Sequence, residues 1–379
     1  TDVGSVKTLL VAGVDTGLPF PAERTYREWR LSAFADRLFA DGFREDEPRT
    51  PRDRFGDTCQ SCHMASSTDP LARACQQNPT GSRVGQLPLH EFAGANAWIP
   101  QVIKVTYGGA TPLGTRAAEF DRTSALATDM LTTRSATVEA TLDAFGGPGN
   151  TLTARVRVTN LAGHKLPTGY GEGRRMWLQA EARDADGDLL WESGHYDDAT
   201  AALTQDAQAK VYEVLQGIWD AGDMACETED AMGRGVFHFV RNDCIRKDNR
   251  IPPRGFRGGT DVETRPVSHI YPETAPGSGV LVHWDDTVYA IPVPGNATPP
   301  IAFTVRLKHQ VASREYVEFL RDQAVERGFP SENDLCADDR GPLSTGPRTV
   351  SRGQFMHDLW STQGRSPPVT MQTDLVSTP

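Results

Sequence analysis

Cys59-Gln60-Ser61-Cys62-His63 gathers two thiols and an imidazole within five residues. C-x-x-C-H is the spacing of a c-type haem attachment site. The two sulfurs add covalently to the porphyrin vinyl groups, and the adjoining histidine becomes the first axial ligand of the iron. A thioredoxin-like redox pair would need a βαβ setting, which Asp57-Thr58 and Met64-Ala65-Ser66 do not provide. A structural zinc site needs a second ligand pair of similar spacing, and the sequence has none. The expected cofactor is therefore haem c, one group bound covalently through Cys59, Cys62 and His63.

The opposite face of the iron then decides the chemistry. A second histidine gives a low-spin electron-transfer centre, a methionine does so at higher potential, and an open face admits substrate. Met64 adjoins His63 and cannot reach that face. Two histidines lie in loops, His90 in Leu87–Gly94 and His164 in Asn160–Tyr170. His164 directly follows a β-like run, and Gly163 and Pro167 would shape a loop that projects its ring. A loop on a rigid scaffold suits a ligand, so His164 is the preferred distal candidate and His90 the other. His195, His238, His269, His283, His309 and His357 sit mainly in strand or helix contexts and read as structural. Trp29, Phe34, Phe92 and Trp98 are candidates to wall a porphyrin, or simply to fill a core.

These residues need elements to position them. Residues 22–39 read as a helix, with Tyr26, Trp29, Ala33 and Leu38 on one stripe. A short helix is expected around Ala97-Trp98-Ile99, and a clearer one over 117–133. From 136 the period changes to two. Runs at 136–142, 152–160, 176–182, 189–192, 235–240, 279–284, 287–292 and 301–307 read as strands. Asp186-Gly187 is expected in a hairpin turn, and the surrounding aspartates lack calcium-loop spacing. Helical spacing returns at 313–327 and 354–362. The expected class is α+β: a helical and loop haem-binding region over 1–134, an antiparallel β-sandwich over 135–310 and a C-terminal helical tail over 311–379.

Composition narrows the setting. The chain has 379 residues, is 38% hydrophobic and carries a net charge of −11. That charge opposes nucleic-acid or anionic-membrane binding. No apolar run is long enough to span a membrane. A chain that begins at Thr1 is expected to be a processed product. Beyond the haem motif four cysteines remain, Cys75, Cys226, Cys244 and Cys336. They allow two disulfides, with Cys226–Cys244 preferred because both flank one β-like segment, and Cys75–Cys336 following. Disulfides and c-type haem attachment both indicate a location outside the cytoplasm.

Several motifs together resemble the C-terminal part of multihaem c-type cytochromes. They are Thr25-Tyr26-Arg27-Glu28-Trp29, Cys59-Gln60-Ser61-Cys62-His63-Met64, His90-Glu91-Phe92-Ala93-Gly94, Gly163-His164-Lys165-Leu166-Pro167-Thr168-Gly169 and Lys247-Asp248-Asn249-Arg250 with Ile251-Pro252-Pro253. The resemblance implies electron transfer by bis-His haems, with redox proteins or other c-type cytochromes as partners and a place in a larger hetero-oligomer. It also implies His90 and His164 as distal candidates. Such relatives carry several C-x-x-C-H motifs, whereas this chain has one. Two ligand-like histidines exceed what one iron needs: His90 is the distal ligand or a ligand to a haem on another polypeptide, or this is the end of a longer cytochrome, or one of the two is structural. Two other functions compete. One is an enzyme with an open haem face that reduces a small oxyanion, drawing positive charge from Lys165, Arg174 and Arg175; the two arginines read more simply as solvated strand-end charges. The other is a structural module that docks partner cytochromes.

Overall fold

Leu152, Ala154, Val156 and Val158 are fully buried and alternate with polar neighbours, so one face of their strand is covered and the other meets solvent. The same alternation recurs along the middle of the chain and builds its core. The computed structural model describes residues 3–40, 58–64, 67–73, 84–85, 87–107, 116–238, 240–326 and 351–379. In chain order it begins with strands β1 (Val3–Val11) and β2 (Val14–Glu23). Helices α1 (Thr25–Arg30), α2 (Ala33–Ala40), α3 (Cys59–His63), α4 (Ile99–Tyr107) and α5 (Ala117–Asp129) follow, and α5 ends in a π-turn over Met130–Arg134. Next come β3 (Ala136–Leu142), β4 (Thr151–Asn160), β5 (Arg175–Arg183), β6 (Leu189–Ser193), β7 (Tyr196–Asp197) and β8 (Ala202–Leu203). They are followed by β9 (Lys210–Tyr212), β10 (Val214–Asp220), β11 (Ala225–Glu227), β12 (Cys244–Asp248), β13 (Trp284–Pro292) and β14 (Ala302–Gln310). Helices α6 (Arg314–Glu326) and α7 (Arg352–Thr362) and strand β15 (Val369–Ser377) complete the chain.

Two antiparallel sheets form the sandwich, one in the order β13-β4-β3 and the other β15-β14-β5-β6, with β9 also on β5. Val156 pairs with Thr287 across the first sheet, and Val305 with Ala180 across the second. Their inner faces share one core, in which Val156, Val158, Tyr289 and Ile291 meet Leu178, Ala180, Phe303 and Val305. Each large apolar side chain so buried contributes roughly 1.5–3 kcal/mol. Trp98, Trp177, Tyr196, Val317 and Trp360 form a second cluster that binds α4, α6 and α7 to the sandwich. The expected α+β class with an antiparallel sandwich is what the chain adopts.

The details depart from the sequence reading in five places, one being the run 279–284, where Leu281 makes only isolated bridges and β13 begins at Trp284. Residues 3–23 form a β-hairpin where helix and loop were expected. Its register shifts three times, which breaks the alternation that marks a strand. The single helix expected over 22–39 is two, because the Ser32 hydroxyl donates to Trp29 O and accepts from Phe34 N while Arg254 O takes Ala33 N–H. The run 235–240 is not a strand: Gly235 makes one isolated bridge, and Phe237 packs edge-on against Tyr316 and Phe319. Residues 369–377, inside the expected helical tail, form β15 on the edge of the sandwich. The Asp186-Gly187 turn forms as expected between β5 and β6. Cys226 and Cys244 are disulfide-bonded. Cys75, Cys336 and most of the loops at 44–54 and 67–87 lie outside the described residues. Among the described residues, no helix is long and apolar enough to cross a membrane.

Candidate functional site

The haem-motif residues form a single helical turn, α3. Thr58 caps it, its hydroxyl accepting the Ser61 N–H at 3.2 Å. Spacings of three and four residues put Cys59, Cys62 and His63 on one side of the turn. All three line a cavity of about 370 Å³, within the usual range of ligand pockets. The cysteines are exposed at its rim. Trp29, Phe34, Met130, Leu131 and Leu166 supply apolar wall.

His164 lines the same cavity, carried by the β4–β5 loop. Its ring centre is 6.2 Å from that of His63, and the two planes differ by 17°. A ring pair at this separation would supply both imidazole ligands of an iron. Both rings are also fixed from behind. His63 Nδ1 is 2.5 Å from Ala93 O, and His164 Nδ1 is 3.0 Å from Lys165 O. A carbonyl can only accept, so each Nδ1 carries the proton and each Nε2 keeps its lone pair for a metal. Burial lowers the basicity of His164, which favours the neutral ring a metal requires. The donor set therefore fits a haem iron with two axial imidazoles and two adjacent thiols. Among the described residues, no group of three or more His, Cys, Asp or Glu side chains could cage a bare metal ion.

The His164 loop is held by more polar contacts than its sequence suggested. Asn160 Nδ2 donates to His164 O at 2.8 Å and Ile251 O at 2.9 Å, and Asn160 Oδ1 accepts Ala162 N–H at 2.8 Å. Gly163 permits a close approach, since a Cβ there would lie 3.2 Å from Trp29 Cδ1 and 3.5 Å from Phe34 Cγ. Directly behind the loop lies a buried cluster of four charges. Lys165 Nζ is 2.7 Å from Asp248 Oδ2, Arg250 Nη2 is 2.7 Å from the same oxygen, and Arg250 Nη2 is 3.0 Å from Glu28 Oε1. Glu28 Oε2 accepts Lys165 N–H at 3.1 Å and the Thr168 hydroxyl at 3.0 Å. Burial would raise the Asp248 carboxyl, but Arg250 and Lys165 prevail and hold it down to about 2.

The expected site residues thus divide. Cys59, Cys62, His63 and His164 share one cavity, with Trp29 and Phe34 in its wall. His90 does not join them; it is exposed and stacked on Phe92 with ring centres 6.0 Å apart. Phe92 is exposed as well, and Trp98 belongs to the second core cluster. Arg174 and Arg175 are not solvated strand-end charges. Arg175 is buried against Gln310 and Glu315, and Arg174 lines the cavity. His309, expected to be structural, lines it too. Sequence reasoning missed the charge cluster, although Lys165 between Gly163 and Pro167 and Asp248 with Arg250 ahead of Pro252-Pro253 placed charge in tightly constrained backbone.

No family model matches the chain, and no curated protein does. A solved penta-heme cytochrome c552 from Thermochromatium tepidum superposes with a TM-score of 0.42 at 14% identity, over 99% of this chain and 54% of that one. The chain spans about half the length of that cytochrome.

Proposed function

We propose that this chain is a c-type cytochrome module that transfers electrons through one covalently attached, low-spin haem. The observation that carries the reading is that His63 and His164 line one cavity with near-parallel rings 6.2 Å apart, each Nδ1 bound to a backbone carbonyl, where Cys59 and Cys62 also line the wall. The haem would supply a one-electron ferric–ferrous couple. Cys59 and Cys62 would hold it by thioether bonds, His63 would bind from below, and His164 would occupy the remaining axial position. Trp29, Phe34, Met130, Leu131 and Leu166 exclude water and keep the local dielectric low, and burial is one of the levers on the potential. Both cysteines are exposed, so a haem attached there would present that edge to a redox partner. Were His164 the second ligand, no open face would remain for an oxyanion, which favours the electron-transfer reading over the enzymatic one. The Cys226–Cys244 disulfide supports a location outside the cytoplasm. We place the chain there as a subunit that exchanges electrons with other cytochromes or redox proteins.

The test is mass analysis and a reduced-minus-oxidised spectrum of the mature protein, repeated on His164→Ala and His90→Ala. The expected result is one tetrapyrrole adduct, a low-spin spectrum in the parent and in His90→Ala, and a high-spin, ligand-accessible haem in His164→Ala. Bare thiols at Cys59 and Cys62 would refute the function. An unaltered low-spin spectrum in His164→Ala would refute the ligand assignment.

A further inference from the structure

The axial ligands leave part of the cavity wall unused. Arg174 and His309 line that part, next to Thr168 and Gly169. Arg174 Nη1 donates to Thr168 O at 2.5 Å, but its Nε is buried without a hydrogen-bond partner. His309 is 2% exposed, and its Nδ1 is also buried without a partner. A buried donor left unsatisfied costs about 1–3 kcal/mol; Arg174 Nε is such a donor, and His309 Nδ1 is a second when it carries the ring's proton, so one acceptor could satisfy both. The charge of the cavity agrees. Arg134 and Arg174 are its lining cations, and no Asp or Glu is among the described residues that line it. Arg134 already faces Asp129 at 3.2 Å, which leaves Arg174 as the inner cation. Burial pushes His309 down to about 3, so it stands there as a neutral ring with one N–H to give.

We infer that Arg174 and His309 form the anion-receiving wall of this cavity and bind a propionate carboxylate of the porphyrin. The inference rests on the cavity being a haem site. Porphyrin chemistry supports it, because the acid chains hang from the pyrroles opposite those bearing the vinyl groups. Thioether bonds at the exposed Cys59 and Cys62 would leave the acid edge to be met from within the fold, where Arg174 Nε and His309 Nδ1 are buried. The carboxylate would accept from Arg174 Nε and from His309 when its proton is on Nδ1. No bond is made or broken; the guanidinium offsets the carboxylate charge near the iron.

Without that offset, a full negative charge at the rim of the porphyrin favours ferric iron. A unit charge on the order of 10 Å away, at an effective dielectric near 20, changes the equilibrium about tenfold. For one electron that is about 59 mV. The experiment uses the mature holoprotein and its Arg174→Gln, Arg174→Lys and His309→Gln variants. Haem attachment is checked first by mass and by pyridine haemochrome, then the potential by spectroelectrochemistry and the propionate bending band by resonance Raman. Arg174→Gln is expected to keep its covalent haem and low-spin spectrum while favouring the ferric form about tenfold. Arg174→Lys should show a smaller shift, and the Raman band should move in all three variants. If Arg174→Gln fails to mature, the other two variants carry the same readouts. Attached haem with an unchanged potential and an unchanged propionate band would overturn this inference alone. An unmodified parent protein would overturn the proposed function and this inference with it.

Discussion

Replacing Asp248 by asparagine preserves its shape and removes one charge from the cluster behind the His164 loop. Lys165 Nζ and Arg250 Nη2, each 2.7 Å from Asp248 Oδ2, would then face an uncharged amide, half of which donates. Two buried cations would share Glu28 alone. Breaking one partner out of a buried ion pair costs about 3–5 kcal/mol. The carboxyl itself gives a second measure. Burial opposes its ionisation, yet Arg250 and Lys165 hold it at about 2 against an ordinary 3.8. At 1.36 kcal/mol per unit, that lowering corresponds to about 2.5 kcal/mol. The two figures agree in scale, and a loss of about 3 kcal/mol at pH 7 is expected. Because the folded-state value is depressed, the contribution is fully present above pH 3.8 and fades as pH falls toward 2. Urea unfolding of the parent, Asp248→Asn, Lys165→Met and the double variant measures it, provided the slope with denaturant is unchanged. The double variant leaves Arg250 and Glu28 as a matched pair, so it should be more stable than the sum of the single losses predicts, by about 2 kcal/mol. A cost below about 1 kcal/mol for Asp248→Asn, or strict additivity in the cycle, would refute the reasoning.

Two further variants test the frame around the site, beside the ligand and propionate variants above. Cys226→Ser with Cys244→Ser opens a disulfide between residues separated by 18 positions and should cost about 3 kcal/mol, read as a lower urea midpoint that matches the reduced parent. Gly255→Ala adds a methyl 2.5 Å from Ala33 Cβ at a φ of +70°. It should lower stability by at least about 2 kcal/mol and shift the emission of nearby Trp29; an unchanged melting temperature would show that the start of α2 yields freely.

The sequence carried most of the sandwich because period-two burial is strict where two sheets share a core, as along Leu152–Val158 and Phe303–Leu307. It failed at the β1–β2 hairpin, where register shifts leave Leu9, Phe20 and Ala22 as scattered buried residues. The 235–240 run misled because an apolar segment anchored by Phe237 has the same composition as a strand. At the site, the contiguous motif was legible through covalent chemistry that fixes its spacing. Preference for His164 over His90 followed from the loop geometry that Gly163 and Pro167 impose, and the cavity holds His164. Arg174 was legible only as one possible pocket cation and His309 not at all, since which wall β5 and β14 present is not fixed by alternation, which does not say what lies beyond the end of a strand.

Both cavity histidines rest their Nδ1 protons on peptide oxygens, those of Ala93 and Lys165. A peptide dipole draws on an imidazole proton less strongly than a carboxylate does, so neither ring is pushed toward imidazolate character. Because both acceptors belong to the main chain, no point substitution at residue 93 or 165 deletes them. If the two rings hold an iron as proposed, their electron-donating strength would be insulated from mutational drift, and retuning would have to come from the charges and walls around them.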